Sequence, residues 1–206
     1  MSLADLAYAQ LRDRIVLLDI RPGDPIDDVA IGAELGTGRT PVREALKRLE
    51  TDRLVTAYPR RGTFATAVAV TDLAHVTEVR TALEPLAAAR AAHNATAAAR
   101  AELADMAAGL AADTGDRREL LRRDLNVHRA IYAATGNPHL EDVLVREDNH
   151  ATRIWALFLD RLPRLAGHVG EHAALIDAIV AGDEEKAARL ALDHVTSFER
   201  AVRAVM

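Results

Sequence analysis

The chain has 206 residues, 50% of them hydrophobic and 28% charged, so it can bury a sizeable core in one or two globular domains and is not a disordered segment. Without a single cysteine it has no disulfide, thiolate metal site, iron-sulfur cluster or Cys nucleophile, and any metal must be held by His and carboxylate. The formal charge of −5 is unevenly spread: residues 1–70 carry 10 Lys plus Arg against 10 Asp plus Glu, leaving 16 against 21 for the rest. A neutral first part can still bind DNA when its cations share one face.

Aromatic residues make up only 3% of the chain, which leaves few stacking platforms for single strands or RNA. No run approaches the roughly 20 apolar residues of a membrane span, and residues 1–5 lead into an acidic amphipathic segment instead of an apolar signal core, so a cytoplasmic protein with no membrane partner is expected.

In chain order, Leu6, Ala9, Leu11, Ile15, Val16 and Leu18 follow a helical period and predict a first helix over residues 4–18. The cluster Arg21-Pro22-Gly23-Asp24-Pro25 ends it. Asp27 or Asp28 starts a short second helix with Val29, Ile31, Ala33 and Leu35 inward, and Gly36 stops it. A third helix is expected from Thr40, as a cap, or from Pro41, at the first helical position, with Glu44 near the positive end of the macrodipole. Its apolar residues Val42, Ala45, Leu46 and Leu49 leave Arg39, Arg43 and Lys47 as a four-spaced cationic row on the opposite face. Two β-prone runs, residues 54–58 and 63–67, joined by Pro59-Arg60-Arg61-Gly62, predict a hairpin with a basic tip. Together these define a winged helix-turn-helix over residues 1–70. From Thr71 onward no strand is expected, and the breakers Asn94, Thr114-Gly115-Asp116, Gly136-Asn137-Pro138, Pro163 and Gly182-Asp183 divide residues 71–206 into six or seven antiparallel helices. The fold class is therefore mainly α: a winged helix-turn-helix followed by an all-α bundle.

Asp124 and His128 are four apart in a helical segment, about 40° apart around the axis and one turn apart along it, and can share one metal ion. His172 and His194 lie 10 residues before and 12 after Gly182. Helices folding back at that turn bring both imidazoles to nearly the same level, about 15 and 18 Å along. Asp124, His128, His172 and His194 thus suggest a site for zinc first, with nickel, iron or manganese as alternatives. His168 with His172 is a competing four-spaced pair, and among eight His some such pairs arise by chance; His139 and His150 are read as ordinary surface or interface residues.

Residues 36–46, GTGRTPVREAL, followed by Arg48-Leu49-Glu50 and Arg60-Arg61-Gly62-Thr63-Phe64, resemble the DNA-binding domain of GntR-family transcription regulators. The second part is similar to the all-helical FCD ligand-binding domain of the FadR-like branch, through Glu78-Val79-Arg80 with Glu84, Asp124-x-x-x-His128, Gly136-Asn137-Pro138, Glu171-His172, Gly182-Asp183 and His194. By this resemblance Arg39, Thr40, Arg43, Lys47, Arg60 and Gly62 would meet a palindromic double-stranded operator, bound by a homodimer. The same four residues would hold the metal, and Arg80 would project into the effector cavity. The chain departs from the family pattern at Val29, where some relatives carry a DNA-contacting arginine, and at Thr37-Gly38, where Val-Ser is usual, which bears on operator sequence.

Three neutral imidazoles and one carboxylate around a divalent cation leave a net charge near +1, and the Arg80 guanidinium suits a carboxylate or hydroxyl group, so a small organic acid is the expected effector. The structural alternative for Arg80 is a helix-surface ion pair with Glu84. Trp155 and Phe158 are candidates to line the cavity. The expected protein is not an enzyme but a ligand-responsive regulator; most relatives repress, although no residue distinguishes repressor from activator. The rivals are a regulator with a purely structural metal and a metal-dependent hydrolase with Glu171 as general base. Glu171, adjoining His172 in a helix, points about 100° away from it.

Overall fold

The computed structural model describes residues 2–110, 116–162 and 165–206, the side chain of residue 165 excepted. The breakers Thr114, Gly115 and Pro163 lie outside the described residues. The chain divides into two compact units, Met1–Ala69 and Val70–Met206.

The first unit contains helices α1 (Leu3–Val16), α2 (Asp28–Glu34) and α3 (Arg39–Thr51) and strands β1 (Pro25–Ile26), β2 (Val55–Tyr58) and β3 (Gly62–Ala65). Ser2 and Asp5 form a reciprocal capping box at the start of α1, and the Asp27 carboxylate accepts from the Val29 and Ala30 amides at the start of α2. Asp27→Ala should therefore cost about 1 kcal/mol, read as a shift in the denaturation midpoint. Leu11 and Ile15 of α1 pack with Val42, Ala45 and Leu49 of α3 to form the core of this unit. The Tyr8 hydroxyl donates to Asp52 at 2.7 Å, and the Arg48 guanidinium lies 4.1 Å from the Tyr8 ring centre, fixing the two helices from outside. The sheet has the order β1-β3-β2, all antiparallel. β1 lies in the segment read from sequence as a turn. Pro25 and Ile26 become a strand only because Phe64 and Thr63 lie opposite them.

The start of α3 differs from expectation. Gly38 is its N-cap, with φ 78° and no side-chain capping bond, and Thr40 is already helical and exposed, so Thr40 caps nothing. Glu44 consequently falls beyond the first turn, where the macrodipole offers it little. The turn is held instead by backbone: the Thr37 and Gly38 amides both donate to the Gly32 carbonyl, at 3.1 and 3.2 Å. A Cβ on Gly32 would stand 2.8 Å from the Gly38 carbonyl carbon and oxygen. Gly32→Ala should push α2 and α3 apart and cost about 1–3 kcal/mol, seen as a lower urea midpoint with an unchanged slope.

The second unit follows a short 3₁₀ turn and contains α4 (Leu73–Asn94), α5 (Ala97–Leu110), α6 (Arg117–Ala134), α7 (Pro138–Leu157), α8 (Leu165–Ala181) and α9 (Glu184–Arg203). Three of the predicted breakers act as caps: Asp116, Asn137 and Asp183 each accept amide hydrogens at the starts of α6, α7 and α9. Helix α4 packs against α6, α7, α8 and α9, and α6 also packs against α7 and α8. Residues on these five helices that face the interior share one small volume.

Candidate DNA interface and metal centre

On the first unit, Arg39 and Arg43 project from α3 with side chains 56% and 64% exposed. The Asp28 carboxylate of α2 holds both, at 3.1 Å from Arg39 Nε and 2.8 Å from Arg43 Nε. Each pair uses only Nε, so the terminal nitrogens of both forks remain as donors. A groove of about 620 Å³ runs beside α3 and is lined by Arg39, Thr40, Arg43, Lys47 and, from the hairpin, Gly62. Gly62 has φ 96°, a conformation that side chains disfavour, and Arg60 at the hairpin tip is exposed. Val29 and Ala33, expected to face inward, are exposed; Gly32 is the buried position of α2, where the turn backbone packs against it.

In the second unit, Asp124 and His128 of α6, His172 of α8 and His194 of α9 each contribute a ligand atom to a group lying within 4.8 Å of one another, and all four are buried. His128 Nε2 stands 3.2 Å from His172 Nε2 and 3.3 Å from His194 Nε2, and 4.0 Å from Asp124 Oδ2. A metal–nitrogen bond of about 2.0–2.1 Å in tetrahedral geometry places two donors about 3.3 Å apart.

The far side of each ring determines which nitrogen keeps its lone pair. His172 Nδ1 is 3.2 Å from the Val169 carbonyl, which can only accept. His194 Nδ1 is 3.1 Å from Glu171 Oε2. His128 Nδ1 is 3.1 Å from the Tyr132 oxygen, whose hydroxyl donates to Glu84 Oε1 at 2.9 Å. Each Nδ1 therefore carries the proton and donates, leaving the three Nε2 atoms with lone pairs, those of His172 and His194 each beside that of His128. Burial holds all three imidazoles well below their ordinary pKa, aided by Arg80 for His128, by His128 for His172 and by His172 for His194, so they stay neutral. The Nε2 spacing suits ligands of one ion, and Arg80 Nη2, 3.4 Å from His128 Nε2, donates to that nitrogen. Burial and the Asp148 charge push the Asp124 carboxyl up, a shift that a bound cation reverses. Asp124 Oδ1 makes no hydrogen bond and lies 3.5 Å from His172 Nδ1, while Oδ2 is the oxygen 4.0 Å from His128 Nε2; three imidazoles and one carboxylate are a donor set that fits a divalent ion.

Arg80 lies beside this cluster, its Nη2 3.4 Å from His128 Nε2. It does pair with Glu84, at 2.5 Å, but the pair is buried, not on a helix surface, and Asp148 of α7 adds a second carboxylate at 3.3 Å. Burial alone would lower the Arg80 pKa; Glu84, Tyr132 and Asp148 more than offset it and keep the side chain charged. Burial pushes Asp148 up to about 6 against the pull of Arg80. The cavity is lined by Arg80, Asp124, His128, Asp148, Thr152, Trp155, His168, His194 and Phe198, which pack too closely to admit a water molecule. Trp155 lines it as expected, but Phe198 of α9 takes the place expected for Phe158, which follows the end of α7. His168 is not in the four-residue group: it stacks on His194 with ring centres 4.0 Å apart, lies 3.3 Å from Glu171, and with Glu171 and His194 forms a second group of possible ligands. Glu171 does point away from His172, and it meets the Nδ1 side of His194, across that ring from Nε2. Sequence reasoning named the Arg80–Glu84 pair but not its burial, and missed the roles of Tyr132 and Asp148. Tyr132 sits four residues from His128, a spacing that pairs residues on one helix face.

A winged helix-turn-helix with exposed cations along its third helix, joined to a helical unit with a buried polar centre, defines a DNA-binding transcription regulator. The chain belongs to the GntR family: residues 3–65 match the bacterial regulatory proteins of that family and residues 75–197 match the FCD domain. It is 30% identical over 195 residues to a probable D-xylose utilization operon transcriptional repressor of Paenarthrobacter nicotinovorans, covering 92% of this chain and 86% of that one. It is 25% identical to the galactonate operon transcriptional repressor of Escherichia coli K12, covering 89% and 90%. Among solved structures, Escherichia coli McbR/YncC superposes with a TM-score of 0.84 over 99% of this chain and 98% of that one, at 22% identity, and so shares the fold. No described helix is long and apolar enough to cross a membrane.

Proposed function

We propose that this regulator is a homodimeric repressor whose DNA binding responds to a small oxygen-rich metabolite taken up beside a divalent metal in the FCD unit. The observation that carries the metal reading is the grouping of three buried Nε2 atoms with the Asp124 carboxylate, each imidazole having an acceptor at its Nδ1. Asp124, His128, His172 and His194 would hold the ion, with zinc the first candidate and nickel, iron or manganese as alternatives. A bound divalent ion supplies positive charge and an open position for an oxygen ligand. Arg80, next to His128, would hold the guest. Sequence reasoning points to an organic acid, and the relatives named above are a repressor of D-xylose utilization and a repressor of a galactonate operon.

On DNA, Arg39, Thr40, Arg43 and Lys47 would enter the major groove on α3, while Arg60 and Gly62 bring the hairpin to the minor groove. Two-fold symmetry requires a palindromic operator. Effector and operator then influence each other's affinity by one shared factor. The test is DNA binding to the chain's own upstream region, repeated with chelator, with zinc or nickel restored, and with a panel of organic acids and sugars. Binding that changes with a small molecule only when metal is present supports the reading. Melting that shifts with metal while DNA binding ignores every small molecule would favour a purely structural metal.

A further inference from the structure

We propose that the effector is an uncharged polyhydroxy compound, a sugar or polyol, whose hydroxyl groups are read by Asp148 and Trp155. The inference rests on the reading of the FCD cavity as the effector site and narrows its ligand.

Four ligands alone around a divalent ion would leave one net positive charge and attract an anion. The cavity holds more than those ligands: Arg80 adds one positive charge, and Glu84 and Asp148, both paired with it, add two negative ones. With the ion present, three positive charges meet the three carboxylates of Asp124, Glu84 and Asp148, and the sum is zero. Without the ion the sum is negative. In neither state does the site offer the excess positive charge that would repay desolvating a carboxylate. The Arg80 guanidinium, beside the metal ligands, is already paired with two carboxylates.

Asp148 Oδ2 and Trp155 Nε1 both belong to residues lining the cavity, both are buried, and neither has a partner. Asp148 is 1% and Trp155 2% exposed, and no water fits between the lining groups as they stand. Buried polar atoms are rarely left in this state. One needs a donor and the other an acceptor, and a hydroxyl group is both. A carboxylate could accept from the indole but would meet the Asp148 charge at close range. Thr152 on the same face of α7, and the rings of Trp155 and Phe198, set edge to face with centres 5.2 Å apart, complete a lining with apolar surfaces and few polar groups, as small-molecule sites have. Entry of a guest must spread these side chains, which gives binding a means of shifting the helices.

The chain has one tryptophan, so its fluorescence reports on this cavity directly. The test titrates zinc-loaded and chelated full-length protein with D-xylose and D-galactose, and separately with D-xylonate, D-galactonate and citrate, following Trp155 emission and heat of binding. Saturable binding of a neutral sugar, at least about tenfold tighter than its own acid, is expected. Asp148→Asn keeps the shape and removes the charge; it should weaken sugar binding roughly 10- to 100-fold and narrow or invert the preference over the acid. Trp155→Phe, followed by heat alone, removes only the N–H donor and the ring excess, and serves if Asp148→Asn does not fold. Acids binding more tightly than sugars would overturn the proposal while leaving an effector-responsive regulator intact. Absence of binding by either class would overturn the proposal and the effector reading of the cavity together.

Discussion

His172→Ala should abolish the stabilisation that zinc confers on this protein. A ligand that binds only the folded state at 100 times its dissociation constant adds about 2.7 kcal/mol. For a protein of this size that corresponds to a rise in Tm of roughly 5–11 °C. The wild-type chain should show that rise on zinc addition and lose it to chelator; the variant should show neither. His172 is fully buried, and truncation also leaves a cavity, so the variant's Tm without metal is expected to fall too. The diagnostic quantity is the zinc-dependent difference, supported by bound zinc per chain after dialysis. Stoichiometric zinc in His172→Ala would remove this residue from the metal centre. Glu171→Gln probes the outer contact: it keeps a group beside His194 Nδ1 but removes the carboxylate charge. Its expected effect is smaller, a 10- to 100-fold loss of zinc affinity with the metal still bound at high concentration.

Arg43→Ala should weaken operator binding by about 1–3 kcal/mol, or about 5- to 150-fold, if the guanidinium reads a base edge. The same change at Arg39 is expected to have a comparable cost. Both side chains extend from α3 into solvent, and the Asp28 carboxylate restrains each through Nε alone, so the forks enter a complex partly ordered, with their terminal donors unspent. A base contact and a phosphate contact leave different traces. Loss of a base contact lowers affinity for the operator more than for unrelated DNA, whereas loss of a phosphate contact weakens both alike and reduces the salt slope by about one. Gel shifts over a range of salt, with operator and scrambled duplex, separate the two. An unchanged operator affinity for Arg43→Ala would refute its place in the interface. Arg60, exposed at the hairpin tip and outside the groove that Gly62 lines, is expected to behave as a phosphate contact.

Much of this architecture is local and could be read along the chain. Helical periodicity placed α1, α2 and α3, and the cationic row of Arg39, Arg43 and Lys47 lies on the exposed face because Val42, Ala45, Leu46 and Leu49 occupy the other. Asp116, Asn137 and Asp183 start helices because short polar side chains satisfy orphan amides, a property of a few consecutive residues. Where the local signal was divided, the expectation failed: Thr40 has the chemistry of a cap, but the turn held by backbone bonds to the Gly32 carbonyl puts the cap of α3 at Gly38, two residues earlier. β1 had no local signal, since a two-residue strand exists only through its partner.

The amino-acid sequence by itself determined the two-unit order, the cationic face of α3 and the identity of Asp124, His128, His172 and His194 as a group worth testing. It could do so because helix periodicity and turn chemistry act over a few residues, and because one turn lies nearly midway between His172 and His194. Only the tertiary structure decided what surrounds those four. Val169, Glu171 and Tyr132 fix the proton on each Nδ1, and Glu84 and Asp148 enclose Arg80. Asp148 arrives from a helix whose polar run, Arg146 to His150, has no feature that marks it as buried. Charge balance and lone-pair direction depend on groups from five helices brought within a few ångströms, and no spacing along a single helix specifies that.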